Sequence, residues 1–317
     1  MSLSVIFSFR NEEAVLQELL KRVRASLDPL GMEYELIFVN DDSTDRSHSI
    51  LLEAREKDPR VKILSMSRRF GVTPCILAGI RESKGDAVIY MDADLQDPPE
   101  LLPRLIEKWK EGADVVNTVR TKRHGESAFK MWVTRAAYRT IDSLSEIDLP
   151  ANMGDFKLLS RRVADELLRI SEYDPYLRGM VRWVGFQQET VPYEREGRHS
   201  GKTHFPLLGR APVTEFLRAI VSFSAAPLYA MVVVGMITAA LSLLTIVYVL
   251  AVKFRGEAVP GWAGPTISSL FTGGIILLSN GFLGLYVGRI YNQVKNRPLY
   301  IVKERVGFGD KDAAKKG

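Results

Sequence analysis

Hydrophobic and polar positions in the first 218 residues follow two alternating rhythms. Short apolar runs at 3–9, 36–39, 61–64, 87–91 and 115–118 have the length and make-up of strands buried on both faces of a mostly parallel sheet. Between them, 11–26, 45–57, 71–83 and 98–111 carry apolar residues at helical spacing, with Asn11 and Ser43 or Asp45 placed as N-caps. This alternation predicts a doubly wound α/β domain. Past residue 218 the rhythm stops: 34 uncharged residues separate Arg218 from Lys253, and 31 separate Glu257 from Arg289. Both runs exceed the roughly 20 apolar residues that cross a bilayer. They predict a membrane hairpin rather than the buried helix pair of a large soluble core.

Composition averaged over all 317 residues hides this division. With 26% charged and 46% hydrophobic residues the chain looks soluble and globular, which excludes disordered and collagen-like classes. A single cysteine, Cys75, excludes an intramolecular disulfide framework and a Cys-rich zinc site. The net charge of +5 resolves into −1 for residues 1–218, +1 for 219–288 and +5 for 289–317. The basicity therefore lies in the tail, where Arg289, Lys295, Arg297, Lys303 and Arg305 suit the positive-inside rule and anionic headgroups. A near-neutral soluble part argues against a nucleic-acid partner. The first apolar run, 3–9, is too short for a cleavable signal and lacks its basic flank.

In doubly wound sheets, ligands bind at the carboxyl ends of the strands, and here those ends are acidic. The first strand is followed by Ser8-Phe9-Arg10-Asn11-Glu12-Glu13, the second by Asn40-Asp41-Asp42-Ser43-Thr44-Asp45, the fourth by Asp92-Ala93-Asp94-Leu95-Gln96-Asp97-Pro98-Pro99. Asp92 and Asp94 are two apart, so on extended backbone both carboxylates point to one side. Such a pair suits Mg²⁺ or Mn²⁺, which take one or two carboxylates and complete their shell with water or phosphate oxygens; a solvated acidic turn ended by prolines is the plain alternative. Neither a Gly-x-Gly-x-x-Gly fingerprint after the first strand nor a P-loop is present, which removes the usual dinucleotide and nucleoside-triphosphate sites.

Three acidic strand ends ahead of a two-helix anchor resemble the family-2 glycosyltransferases of GT-A fold. Within them the chain is similar to the polyprenol-phosphate glycosyltransferases related to dolichol-phosphate mannose synthase and to bacterial undecaprenyl-phosphate glucosyltransferases. The resemblance spans almost the whole chain. It also rests on Gly154-Asp155-Phe156-Lys157-Leu158-Leu159, Arg178-Gly179, Trp183-Val184-Gly185-Phe186 and Arg198-His199-Ser200-Gly201-Lys202-Thr203-His204-Phe205.

The resemblance implies a division of labour among these residues. Ser8, Arg10, Glu12 and Asp41 would hold the nucleotide; the family more often has Pro and Tyr where this chain has Ser8 and Arg10, which leaves the base open. Asp92 would face the nucleotide-sugar, Asp94 with Gln96 would ligate the Mg²⁺ or Mn²⁺ that bridges the diphosphate, and Arg120 would lie near the phosphates. Asp155 occupies the position of the catalytic base or acceptor-positioning acid. A phosphate monoester has a second pKa near 6, so orienting the acceptor and opposing charge at the anomeric carbon suffices, with proton abstraction optional. Arg135, Arg198, Lys202 and His204 are candidates for the acceptor or diphosphate, because an arginine fork binds phosphate bidentately. His204 stands where the family usually has lysine, so either it donates as a neutral imidazole or Lys202 supplies the charge.

The implied organisation is a GT-A domain at 1–205, an interfacial amphipathic helix at 206–220, transmembrane helices at 221–252 and 264–289, and a basic cytoplasmic tail at 290–317. Gly281, Gly284 and Gly288 in the second span would permit close helix packing, within the hairpin or between protomers. The implied enzyme moves a single sugar, with inversion, from a nucleotide diphosphate sugar to polyprenyl phosphate at the cytoplasmic face of the inner membrane. UDP-glucose or a related UDP-hexose is the expected donor and GDP-mannose the alternative. Membrane lipids are further expected partners; a homo-oligomer is left open. A processive polysaccharide synthase would carry Gln-x-x-Arg-Trp, but Gly179 stands at the glutamine position before Arg182-Trp183. A non-catalytic membrane module gives the acidic strand ends no purpose.

Overall fold

The computed structural model describes residues 1–120, 153–194, 226–255 and 263–309. These divide into two units, the first comprising the residues up to 194 together with 298–309, the second 226–255 with 263–297.

In the first unit, β1 (Ser2–Phe9), β2 (Glu33–Asn40), β3 (Val61–Met66), β4 (Ala87–Asp92) and β5 (Val115–Arg120) alternate with α1 (Leu16–Leu27), α2 (Ser47–Lys57), α3 (Val72–Glu82) and α4 (Leu102–Lys110). Next come β6 (Met153–Ser160), α5 (Arg161–Arg169), α6 (Leu177–Trp183) and β7 (Gln188–Tyr193); β8 (Val302–Val306) follows the second unit. One sheet results, in the order β7-β5-β6-β4-β1-β2-β3-β8. β1 pairs in parallel with β2 and β4, as do β2 with β3 and β5 with β7. β6 is antiparallel to both β4 and β5, and β8 is antiparallel to β3. The sheet is mixed but mostly parallel, a GT-A arrangement.

Both faces of the central strands are covered, which is why their sequences read as unbroken apolar runs rather than alternating ones. Phe7 and Phe38 stack at 4.7 Å between ring centroids, and Phe9 meets Phe38 edge-on at 6.4 Å. α1 buries Leu16, Leu19, Leu20, Val23 and Leu27, one stripe at helical spacing; each such leucine contributes about 2 kcal/mol. α3 lies close on β1 because position 79 is glycine: a Cβ there would sit 2.4 Å from Ile6 Cγ2.

Two helix starts differ from the sequence pattern. α1 begins at Leu16 rather than at 11, and its N-cap is Val15. Asn11 instead takes a left-handed φ of 57° and uses its side chain on the second strand-end loop. α2 is capped by Arg46 rather than Ser43 or Asp45, whose side chains are engaged across the same loop pair. The tail also differs. Residues 290–294 continue a helix, and 302–306 form the edge strand β8. Arg305 pairs with Glu82 at 3.1 Å within the first unit.

The second unit consists of α7 (Ala226–Phe254) and α8 (Ala263–Val294). Leu228–Val252 and Ile267–Val294, 25 and 28 residues, are long and apolar enough to cross a membrane. Large side chains such as Leu243, Leu277 and Val294 are exposed along them, a surface that suits lipid rather than water. The two helices touch through Ser279 Oγ and Met231 Sδ at 3.6 Å. Gly281, Gly284 and Gly288 do not serve this contact, since nothing lies within 4 Å of where their Cβ atoms would be.

Candidate active site

The carboxyl ends of β1 to β5 and β7 share one edge of the sheet, and β6, running the other way, starts there. The first two loops on this edge are sewn together. Asn11 N donates to Ser43 Oγ at 3.0 Å, Thr44 N to Asn11 Oδ1 at 2.8 Å, Glu12 N to Ser47 Oγ at 2.9 Å and Glu13 N to Asp45 Oδ2 at 3.1 Å. Three left-handed non-glycine residues mark this edge, Asn11, Asp42 and Leu95, with φ of 57°, 59° and 58°. For a buried leucine that conformation costs about 1–2 kcal/mol, and such strain clusters where geometry is imposed for function.

Of the residues assigned to the nucleotide, Ser8 is buried and its hydroxyl donates to Asp92 Oδ1 at 3.4 Å. Asp41 is also buried, and its carboxylate accepts from Phe70 N at 2.6 Å and Gly71 N at 3.0 Å, tying the end of β2 to the loop after β3. Arg10 is exposed, and Glu12 half-buried, its carbonyl accepting from Val15 N at 3.1 Å to open α1.

Asp92 ends β4, and Asp94 sits buried in the turn beyond it. The left-handed Leu95 folds the chain back so that Gln96 N donates to Asp94 Oδ1 at 3.1 Å. Gln96 thus meets Asp94 through its backbone. Among the described residues no cluster of three His, Cys, Asp or Glu could hold a metal, so a cage made only of protein is absent there. Two neighbouring carboxylates fit a hard cation that draws its remaining ligands from a diphosphate.

Arg120 ends β5 and is held from two sides. Its Nε donates to the Tyr193 hydroxyl at 3.0 Å, and its Nη2 lies 3.8 Å from Asp97 Oδ1. The same hydroxyl donates to Asp97; burial and the neighbouring Asp97 push its pKa up to about 12, so it stays a donor. Arg120 is thereby fixed to both the acidic loop and the end of β7. A register shift between Asn117 and Val119 of β5 bends the strand just before it, as bulges near active sites do.

Asp155 lies in β6, on the same edge. Arg178 of α6 grips its carboxylate with both fork nitrogens, Nε to Oδ1 at 2.7 Å and Nη2 to Oδ2. Burial alone would raise the Asp155 pKa; Arg178, Lys157 and Arg120 outweigh it and hold the carboxyl below the usual carboxylate range. Asp155 is therefore an oriented anion and a weak base.

Arg135, Arg198, Lys202 and His204 lie outside the described residues, as do 206–220. Sequence reasoning missed Tyr193, Arg178 and the role of Asp97. Arg178 stands in a motif that the resemblance singles out, but nothing in its spacing ties it to Asp155, 23 positions earlier.

An acidic strand-end edge with fixed arginines on a GT-A sheet has the make-up that a sugar-transferring enzyme needs. Residues 4–168 match Glycosyl transferase family 2. The chain is 42% identical to the uncharacterized glycosyltransferase YkcC of Bacillus subtilis (strain 168), over 97% of this chain and 95% of that protein. It is 37% identical to the SfII prophage-derived bactoprenol glucosyl transferase of Shigella flexneri, over 96% of this chain and 98% of that one. Mannosyl-3-phosphoglycerate synthase from Rubrobacter xylanophilus, at 17% identity, shares the fold with a TM-score of 0.51, covering 70% of this chain and 72% of its own. The chain belongs to glycosyltransferase family 2 and is a glycosyltransferase.

Proposed function

We propose that this enzyme transfers one hexose, glucose or a close relative, from its UDP-linked donor to undecaprenyl phosphate at the cytoplasmic face of the membrane, with inversion at the anomeric carbon. The observation that carries this is the convergence of Asp92, Asp94, Arg120 and the Asp155–Arg178 pair on one sheet edge, in a chain that also has two apolar helices of membrane-spanning length. The full-length similarity to a bactoprenol glucosyl transferase supports the acceptor.

Asp94, with Asp92 and Gln96 beside it, would hold Mg²⁺ or Mn²⁺, which when bound neutralises charge on the diphosphate leaving group. Arg120, locked by Tyr193 and Asp97, supplies a fixed positive charge near the same phosphates. The acceptor phosphate oxygen forms the new bond to the anomeric carbon as the bond to the nucleotide oxygen breaks; UDP leaves with that electron pair. An acceptor that is already anionic needs no strong base, which agrees with the lowered pKa of Asp155. Asp155 orients the acceptor and opposes the positive charge that grows on the sugar ring. Arg135, Arg198, Lys202 and His204 are assigned to the acceptor phosphate or the diphosphate. Both flanks of the hairpin lead into the first unit, so a two-helix crossing returns the chain to the side it left, and the excess of basic residues after α8 makes that side cytoplasmic.

The test is incubation of the full-length protein with radiolabelled UDP-glucose, UDP-N-acetylhexosamine or GDP-mannose, undecaprenyl phosphate and Mn²⁺ or Mg²⁺. Label should enter the lipid from a UDP-hexose and be lost with EDTA. Failure with every donor, or equal labelling by Asp155→Ala, overturns the proposal.

A further inference from the structure

β6 presents two charged residues two positions apart, Asp155 and Lys157, hence on one face of the strand. Lys157 is 0% exposed, a place lysine almost never takes unless its charge has a use or a partner. Its Nζ donates to Asn117 Oδ1 at 2.9 Å and lies 2.9 Å from Met153 Sδ. Asn117 is itself braced, its Nδ2 donating to Gln188 Oε1 at 3.1 Å. Gln188 also accepts from Arg182 at 3.0 Å and donates to Val181 O and Gly185 O, at 3.0 and 2.9 Å. On the other side of β6, the register partner of Lys157 is Tyr90, a buried tyrosine whose hydroxyl has no hydrogen-bond partner among the described residues. A polar row thus runs through β4, β6, β5 and β7 on the strand face that also carries Asp155.

Replacing a whole buried polar row by well-packed apolar side chains is often neutral for stability, so stability alone does not account for keeping one here. The row is also directional, since Asn117 and Gln188 fix the ammonium from the side away from β4. We propose that Lys157 is a positioning residue for the transfer reaction: anchored through Asn117 to β5, it places a positive charge two positions along the strand face that carries Asp155 and favours that carboxylate as an anion without touching it, while Arg178 grips it from the α6 side. This rests on the role given to Asp155 above. Burial is the largest influence on Lys157 and, with Arg178 and Arg182 and against Asp155, lowers its pKa to about 7, so its charge is fully present on the acid side of neutrality, and Lys157 is among the groups that lower the pKa of Asp155.

The experiment compares full-length Lys157→Met and Lys157→Arg with wild type, in two readouts. In transfer assays, Lys157→Met should lower kcat about tenfold or more with donor KM within about twofold, because the loss is one of orientation, and Lys157→Arg should recover most of the rate. A kcat within twofold of wild type for Lys157→Met overturns the proposal; should that variant fail to fold, Lys157→Gln takes its place under the same criterion. The second readout needs no substrate. Thermal midpoints followed against pH should show the acid-side loss of stability beginning at higher pH in Lys157→Met, because Asp155 protonates more readily without the ammonium, and that shift should vanish in an Asp155→Asn background. An unshifted acid limb also overturns the proposal. If the wild-type enzyme labels no lipid with any donor, the functional assignment fails while this second readout still decides the role of Lys157.

Discussion

Carboxylates gather at both ends of the sheet, and the two groups are built differently. At the amino-terminal end, Glu35, Asp58 and Asp114 have partners nearby that neutralise them. Glu35 accepts from Lys62 Nζ at 2.5 Å, Ser4 Oγ at 2.6 Å and Lys84 N at 2.7 Å. Asp58 is paired with Arg24 and Arg60, each at 3.0 Å, and Asp114 with Arg162 and Ser160. The left-handed turns there fall largely on glycine, at Gly31, Gly112 and Gly185, where they cost little. At the carboxyl-terminal end the left-handed residues include Asn11, Asp42 and Leu95, and arginine forks are aimed and locked. One end spends its charges on holding the fold; the other fixes its charges on the edge where ligands bind in doubly wound sheets.

Substitutions at the two ends should therefore separate activity from stability. The largest contrast is expected between Asp94→Ala and Asp114→Ala. The first should cut lipid labelling by about three orders of magnitude, the scale of several kcal/mol of lost charge stabilisation, with the thermal midpoint little changed. The second should lower the midpoint and leave the rate per folded molecule intact. Parallel melting curves and transfer assays check both, and equal rates for the two variants would remove the contrast. A smaller effect, about tenfold in kcat, is expected for Tyr193→Phe, which takes away the hydroxyl that holds Arg120; unchanged kinetics would show that Asp97 suffices.

The smallest expected effect on transfer is at Glu35, where the change falls on stability. Burial raises its pKa, but Lys62, Ser4 and the Lys84 amide outweigh that and leave it lowered. A lowered folded-state pKa means that its stabilisation is complete above the unfolded value and is lost as pH falls through the folded one. Glu35→Gln should cost about 1–3 kcal/mol at neutral pH and flatten the acid side of the stability curve, without altering transfer. A variant whose acid limb matched wild type would count against this ion pair.

The residues that sequence patterns made visible are those whose neighbours are close in the chain. Five strands and the acidic loops after them follow from apolar runs and their ends, and the hairpin follows from missing charge. β6 was harder, because Asp155 and Lys157 interrupt its apolar pattern and a buried lysine reads as a surface position. β7 is mostly exposed and contains Pro192, and β8, Val-Lys-Glu-Arg-Val, reads as solvent-facing tail. In the site, Asp92 and Asp94 were visible through a spacing of two. The Tyr193–Asp97 and Arg178–Asp155 contacts join distant segments, and no local periodicity encodes them.

The strand β8 also bears on how the protein is made. It pairs Val306 with Ile63 and Arg305 with Leu64, yet both apolar helices lie between these partners in the chain. During synthesis the edge of β3 therefore stays open until the hairpin has emerged and only then receives its last strand. Completion of the soluble sheet is coupled to the membrane segment by chain order alone, and β3, with its unpaired edge, is the part of the nascent enzyme most in need of protection from association with other chains.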